Sequence, residues 1–228
     1  MIYCMEFLEK NIQWLIEKIE SKSCLYFLID MPGQVELFTN HESLRNIMKI
    51  LHQQIGLQCC SAHLVDSSYL MDEHKYLSAC TLAMTAKIAF DESPVLNIVS
   101  KIDLLQKLGR PQMNLIDLEN LSGLHYLFWG ADKEFEDETD MTPKQKKLTA
   151  FNRKYGKLSL NLCELIENYM GFSGYLLLDI SCRELVCHII GQLDKSNGYF
   201  EHPEKVKNSK EAQIDYQAIE MYVYTQAV

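Results

Sequence analysis

The chain has 228 residues, 47% hydrophobic and 23% charged, with a net charge of −9 and a pI near 5.3. That balance suits a globular chain of one large or two small domains, and its acidic surplus argues against a dedicated nucleic-acid or membrane-surface binder. No apolar run approaches the roughly 20 residues of a membrane span, and no charged segment leading into an apolar stretch and cleavage site opens the chain.

Taken in chain order, "MIYCMEFLEKNIQWLIEKIESKS" places Met5, Leu8, Ile12, Leu15 and Ile19 on one face of a helix. "CLYFLID", residues 24–30, is a short continuous apolar run and predicts a buried strand. "NHESLRNIMKILHQQIG" predicts a helix capped by Thr39 or Asn40 and stopped at Gly56. "CCSAHLVD" predicts a second strand, "DEHKYLSACTLAMTAKIAF" a helix, and "PVLNIVS" a third strand. Residues 105–150 are less regular, with an acidic run, "DKEFEDETD", and a basic one, "KQKK". Charge runs of this kind predict a solvated helical insertion. "LTAFNRKYGKLSLNLCELIENYM" predicts a long amphipathic helix, "YLLLDIS" a fourth strand and "RELVCHIIGQLDKSNG" a last helix. The domain expected is residues 1–200, followed by a loosely ordered polar tail, 201–228.

Cys4, Cys24, Cys59, Cys60, Cys80, Cys163, Cys182 and Cys187 include no C-x-x-C pair, and most lie in apolar runs. They read as free, buried thiols of a reducing compartment, not as a disulfide framework or a zinc site.

Strands alternating with long helices predict an α/β fold with a parallel sheet, and such sheets bind ligands at the carboxyl ends of their strands. Two of those ends carry candidate chemistry. The first holds Asp30, Gly33 and Gln34 in "DMPGQ". D-x-x-G-Q after an apolar strand is similar to the phosphate-sensing switch of P-loop GTPases. The likeness implies that Asp30 binds Mg²⁺ through water, that the amide of Gly33 approaches the γ-phosphate, and that Gln34 helps orient the attacking water. A plain strand-to-turn break is the structural alternative. Seventy residues on, "SKID" ends another strand and resembles the guanine motif [NT]-K-x-D, with Ser100 in place of Asn or Thr. Asp103 would accept hydrogen bonds from N1–H and the 2-amino group of guanine, and the Lys101 stem would cover the base plane. A surface turn is the alternative for Lys101 and Asp103 taken alone.

"FLIDMPGQVELFTNHESLRNI", "AHLVDSSYLMDEHKYLSACTLAM", "NIVSKIDLL" and "LDKSNGYF" together resemble the GPN-loop GTPases, most nearly the eukaryotic class numbered two. The resemblance runs from Met1 to about Phe200 and is weakest over 105–150. It implies a P-loop NTPase-like sheet with helices on both faces, GTP and Mg²⁺ as cofactors, and GTP hydrolysis. It also implies a role in RNA polymerase II assembly and nuclear import, pairing with itself or a paralogue, and contacts with polymerase subunits or assembly factors. No direct nucleic-acid or membrane contact is implied, and the expected location is the cytoplasm, with shuttling to the nucleus.

The departure from the pattern is large. Neither G-x-x-x-x-G-K-[ST] nor Gly-Pro-Asn occurs in the chain. In relatives both precede the stretch that looks like "MIYCMEFLEKNIQWL", so Met1 resembles an internal methionine. A shortened gene model, a fragment and an alternative start all remain open. The expectation is a sheet lacking the P-loop strand, with neighbouring ladder groups left unpaired. Two further readings stay open: a non-catalytic interaction protein that keeps the pairing face, and an ATP-using relative, which Asp103 disfavours.

Overall fold

A computed structural model of the chain describes residues 2–22, 26–90, 93–109, 115–121, 123–128, 143–169 and 173–199. The acidic run at 132–140 and the tail at 201–228 lie outside the described residues. Three parallel strands form one sheet: β1 (Ser61–Asp66), β2 (Val95–Ser100) and β3 (Tyr175–Leu178), in the order β1-β2-β3. β1 and β2 pair over their full lengths, with Ser61 opposite Val95 and Asp66 opposite Ser100. β3 pairs with the second half of β2, from Asn97 opposite Tyr175 to Ser100 opposite Leu178.

The period-two alternation of strand side chains splits the apolar residues between two faces. Val65, Val99, Tyr175 and Leu177 point into the larger core. They meet α5 (Glu73–Ala89) through Tyr76, Leu77, Cys80 and Ala83, and α8 (Pro143–Asn168) through Cys163 and Ile166. Ile98 and Leu176 point the other way, onto Ile189 of α9 (Arg183–Ser196). Helices therefore cover both faces, as the sequence predicts. α5 starts where Asp72 accepts hydrogen bonds from the amides of His74 and Lys75, which satisfies donors that have no partner within the helix. Asn97, buried in the central strand, donates to the Ser173 carbonyl at 2.9 Å and so ties β2 to the entry of β3.

The amino-terminal helix is two helices, α1 (Ile2–Lys10) and α2 (Ile12–Glu20). Asn11 breaks it: its side-chain amide donates to the Phe7 carbonyl at 2.8 Å, competing with the helical ladder, and its backbone leaves the helical region. Met5 and Ile16 are buried against α3 (Glu36–Thr39) and α4 (Ser43–Ile55), with Leu37, Leu44, Ile47 and Leu51. Glu6 to His41, at 3.1 Å, and Asn46 to Glu9, at 2.7 Å, pin α1 to the start of α4. The cap expected from Thr39 or Asn40 is not made, because those residues end α3. The imidazole Nδ1 of His41 instead accepts from the Ser43 amide. At the other end of α4, Gly56 takes the left-handed conformation (φ +64°), as expected of a helix stop.

One expectation fails. Residues 26–30 take no regular secondary structure and form no ladder, so the described sheet has three strands, not four. A strand needs a partner in register, and among the described residues β1 pairs with β2 alone. Residues 26–33 and β1 both line an open groove of about 1490 Å³. Leu64 of β1 is 59% exposed and Leu28 is 89% exposed. Residues 115–128 fall within the span where a helical insertion is expected, ahead of its two charge runs. α6 (Leu105–Leu108) and α7 (Leu115–Asn120) precede a 3₁₀ turn at Leu124–Phe128, and Leu115, Leu118, Leu124 and Phe128 are fully buried. This part of the predicted insertion is core, because its leucines recur at helical spacing while the charge lies farther along the chain.

Gly174 sits where the entry of β3 crosses α7, and a Cβ there would collide with the carbonyl of Glu119. Gly191 lies inside α9 with open space around it. Gly174→Ala should lose several kcal/mol of stability through overpacking against backbone, whereas Gly191→Ala should gain about 0.5–1 kcal/mol of helix propensity. Urea denaturation of the two variants checks the pair, and a neutral Gly174→Ala contradicts the described crossing.

Candidate functional site

The carboxyl ends of the three strands lie side by side because the ladder is parallel and in register. β1 ends in Asp66 and runs into a 3₁₀ turn, Ser67–Met71. β2 ends in Ser100 and runs into Lys101 and a second 3₁₀ turn, Ile102–Leu104. β3 is followed by buried Asp179, exposed Ile180 and Ser181.

Lys101 has φ +60° and ψ +39°, the left-handed region that non-glycine residues seldom occupy. Its carbonyl accepts two hydrogen bonds, from the Ser67 hydroxyl at 2.8 Å and from the Leu104 amide at 3.0 Å. Its ammonium donates to Asp66 Oδ2 at 2.9 Å. The other oxygen of Asp66 accepts from the Ser68 amide at 2.9 Å, so the carboxylate is itself fixed. Ser100 donates through its hydroxyl to the Val65 carbonyl at 3.2 Å. The serine that departs from the guanine motif thus bonds across to the neighbouring strand. Asp103 is exposed at the same edge, two residues beyond Lys101. After β3, the Ser181 amide donates to Asp179 Oδ1 at 2.7 Å where the chain turns into α9.

Asp66 and Ser67 are the site residues that sequence reasoning missed. Asp followed by Ser after a strand has the signature of a helix cap, and Asp66 does cap the turn that follows. Nothing in that pattern announces the reach to Lys101, 35 residues on. Asp179 was missed likewise, since "LLLDIS" reads as a strand and its exit.

The other motif stands apart. Asp30, Gly33 and Gln34 are all exposed. Asp30 and Gly33 line the groove, whereas Gln34 faces a separate hollow with Ile2, Tyr3 and Leu37. Lys101 and Asp103 do not line that groove. A Cβ at Gly33 would meet nothing within 4 Å. Packing within the chain therefore does not require glycine there, and its backbone faces open space that a ligand can approach. Among the described residues no three His, Cys, Asp or Glu side chains gather as a metal cage. Mg²⁺ is commonly held by one or two carboxylates plus phosphate oxygens, so Asp30 suits that role when nucleotide supplies the remainder. At the end of β2, Asp103 offers an exposed carboxylate two residues beyond the anchored Lys101. For the phosphates, the sequence holds no G-x-x-x-x-G-K-[ST] loop with its lysine.

The thiols are not part of the site. Burial pushes Cys80 and Cys163 up to about 12, and Cys60 up to about 11, so none is a thiolate near neutrality. The described cysteines are all unpaired; Cys80 and Cys163 are buried as the sequence predicts, whereas Cys59, Cys60 and Cys182 are half-buried and Cys4 and Cys187 exposed.

A parallel sheet covered on both faces, with polar turns at its carboxyl edge, places the chain in the P-loop NTPase-like α/β class. The family model described as "Conserved hypothetical ATP binding protein" matches residues 1–199. The GPN-loop GTPase QQT1 of Arabidopsis thaliana is 36% identical over 202 residues, covering 87% of this chain and 61% of that protein. GPN-loop GTPase 2 of Xenopus tropicalis is 31% identical over 199 residues, covering 87% and 60%. The protein of the same name in Saccharomyces cerevisiae is 30% identical over 202 residues, covering 87% and 54%. The chain belongs to the GPN-loop GTPase family. It spans about three fifths of the length of the first two relatives. No solved structure matches it.

The Lys101 bond, followed by the Ser68 amide, lowers Asp66 from its ordinary 3.8 to about 2. The stabilisation this carries is full above pH 3.8 and is lost as pH falls through about 2, the sign for a depressed carboxyl. A carbon-13 NMR titration of the Asp66 carboxyl should show a midpoint near 2 that moves back towards 3.8 in Lys101→Ala. A midpoint near 3.8 in the unaltered protein contradicts the ion pair.

Proposed function

We propose that this chain is the guanine-reading portion of a GPN-loop GTPase that binds GTP with Mg²⁺. The observation that carries the reading is the carboxyl end of β2, where Lys101 is anchored and Asp103 stands exposed beside it. A carboxylate accepts from both N1–H and the 2-amino group of guanine, and adenine offers no such pair of donors. This reading therefore favours GTP over the ATP of the family model's description. Asp30, Gly33 and Gln34 serve as the Mg²⁺, γ-phosphate and water-orienting positions that their motif implies. By resemblance, the whole protein hydrolyses GTP and acts in RNA polymerase II assembly and nuclear import. In that reading it works in the cytoplasm, shuttling to the nucleus, and contacts polymerase subunits or assembly factors. It pairs there with itself or a paralogue; the exposed Tyr3, Phe7 and Trp14 on α1 and α2 offer a face for such a partner.

The second reading is a non-catalytic interaction protein of the same family. The sequence feature that favours it is the missing G-x-x-x-x-G-K-[ST], since phosphate contacts supply most of the transition-state stabilisation in this chemistry. Steady phosphate release from GTP that vanishes in Asp30→Ala would remove this second reading.

Losing two hydrogen bonds to a charged acceptor should cost roughly 2–4 kcal/mol after partial compensation. Asp103→Ala should therefore weaken GTP binding well over tenfold, measured by fluorescence titration with a ribose-labelled analogue. Asp103→Asn should prefer xanthosine triphosphate, whose 2-oxo group meets an amide donor. Unchanged GTP affinity in Asp103→Ala would overturn the guanine assignment.

A further inference from the structure

We propose that Asp66 and Ser67 are positioning residues for nucleotide, acting through Lys101: Ser67 sets the lysine's backbone and Asp66 its ammonium, so that its stem lies ready against one face of the base. The inference rests on the guanine reading of Lys101 and Asp103.

The geometry is unusual in one respect. Among the described non-glycine residues only Lys101 and Leu121 have positive φ. A lysine in that conformation is strained unless its surroundings hold it there. The holding contact is the Ser67 hydroxyl on the Lys101 carbonyl, at 2.8 Å. Ser67 is fully buried, so water cannot replace that bond. The left-handed turn launches the lysine stem from the end of β2, and Asp66 at the end of β1 holds its tip at 2.9 Å. The stem thus bridges the two strand ends with its position fixed at both. Asp66 cannot drift, because its second oxygen is engaged by the Ser68 amide. The register that sets Asp66 opposite Ser100 brings the parts together before any ligand arrives.

An exposed lysine free at its tip would have to lose rotamer freedom when a base docks. Lys101 is 62% exposed at its side chain and yet is already held. Part of the ordering cost of base binding is therefore met in the unliganded fold, which is preorganisation. A helix cap alone explains the Ser68 bond. It does not explain why the second carboxylate oxygen reaches the lysine, nor why a buried hydroxyl is spent on that lysine's carbonyl.

The test is a double-mutant cycle on the 228-residue chain, with ribose-labelled GTP and Mg²⁺ as the probe. Asp66→Asn keeps the shape and the Ser68 bond but loses the charge. It and Lys101→Ala should each raise Kd about five- to tenfold, and the double variant should be no weaker than Lys101→Ala alone, because both act through one side chain. Ser67→Ala should weaken binding similarly, with Ser67→Thr restoring it through the retained hydroxyl. Asp66→Asn tests the idea even if Ser67→Ala fails to fold, since Asp66 is partly exposed. Affinity within twofold of the unaltered chain in Asp66→Asn, or effects that multiply in the double variant, would overturn the positioning role. If GTP fails to bind the unaltered chain, the guanine reading falls and this inference with it. If Asp103→Asn switches preference to xanthosine triphosphate while Asp66→Asn is silent, the guanine reading stands and only this inference falls.

Discussion

The β1–β2 ladder is the constraint on which the candidate site depends. Six consecutive residue pairs in parallel register fix Asp66 opposite Ser100. A slip of one residue would turn Val65 and Val99 out of the core, so burial of those two valines enforces the register. The same slip would separate Asp66 from Lys101 and Ser67 from the Lys101 carbonyl. Chemistry at the strand ends is therefore secured by apolar packing in the strand bodies, with Tyr76, Cys80 and Ala83 of α5 closing over them. Asn97 extends the arrangement to β3, since its bond to the Ser173 carbonyl sets where that strand begins.

The opposite side of β1 is organised differently. Among the described residues it carries no ladder, and the groove beside it is lined by apolar residues of α4, β1 and residues 26–33. An edge strand with an exposed leucine is a site of unwanted pairing in any isolated chain. α1 to α4 build a core of their own beside it, with Met5, Ile16, Leu44 and Leu51 buried. The two halves of the nucleotide signature consequently have different surroundings. Ser100, Lys101 and Asp103 rest on paired strands, whereas Asp30, Gly33 and Gln34 follow a segment with no ladder partner.

Much of this was legible from residue periodicity. The three strands of the described sheet were predicted within three residues at each end, and α5 and α9 within two, because their apolar runs and caps agree with the tertiary packing. Asn11 was not recognised as a break, since the apolar period runs through it and only its side-chain bond to Phe7 shows the interruption. Residues 26–30 were predicted as a strand because "CLYFLID" has the composition of one; composition reports the wish to be buried, not the presence of a partner. The leucines of 115–128 were overlooked beside the louder charge pattern that follows them. The motif residues Ser100, Lys101 and Asp103 stand out in the sequence by type and spacing. Asp66 and Ser67 do not, because their role is a contact across two strands, which no local pattern contains.

In the proposed reading the base docks at the carboxyl edge of the sheet, and not in the groove. Backbone amide NMR of the isotopically labelled chain, titrated with guanosine diphosphate and Mg²⁺, tests it most directly. The amides of Ser67, Ile102, Asp103, Ile180 and Ser181 should shift together along one binding curve, while those of Gly56 and Gly198, which line the groove, stay in place. Shifts centred on Gly56, Cys59 and Gly198, with the strand-end amides unmoved, would contradict it.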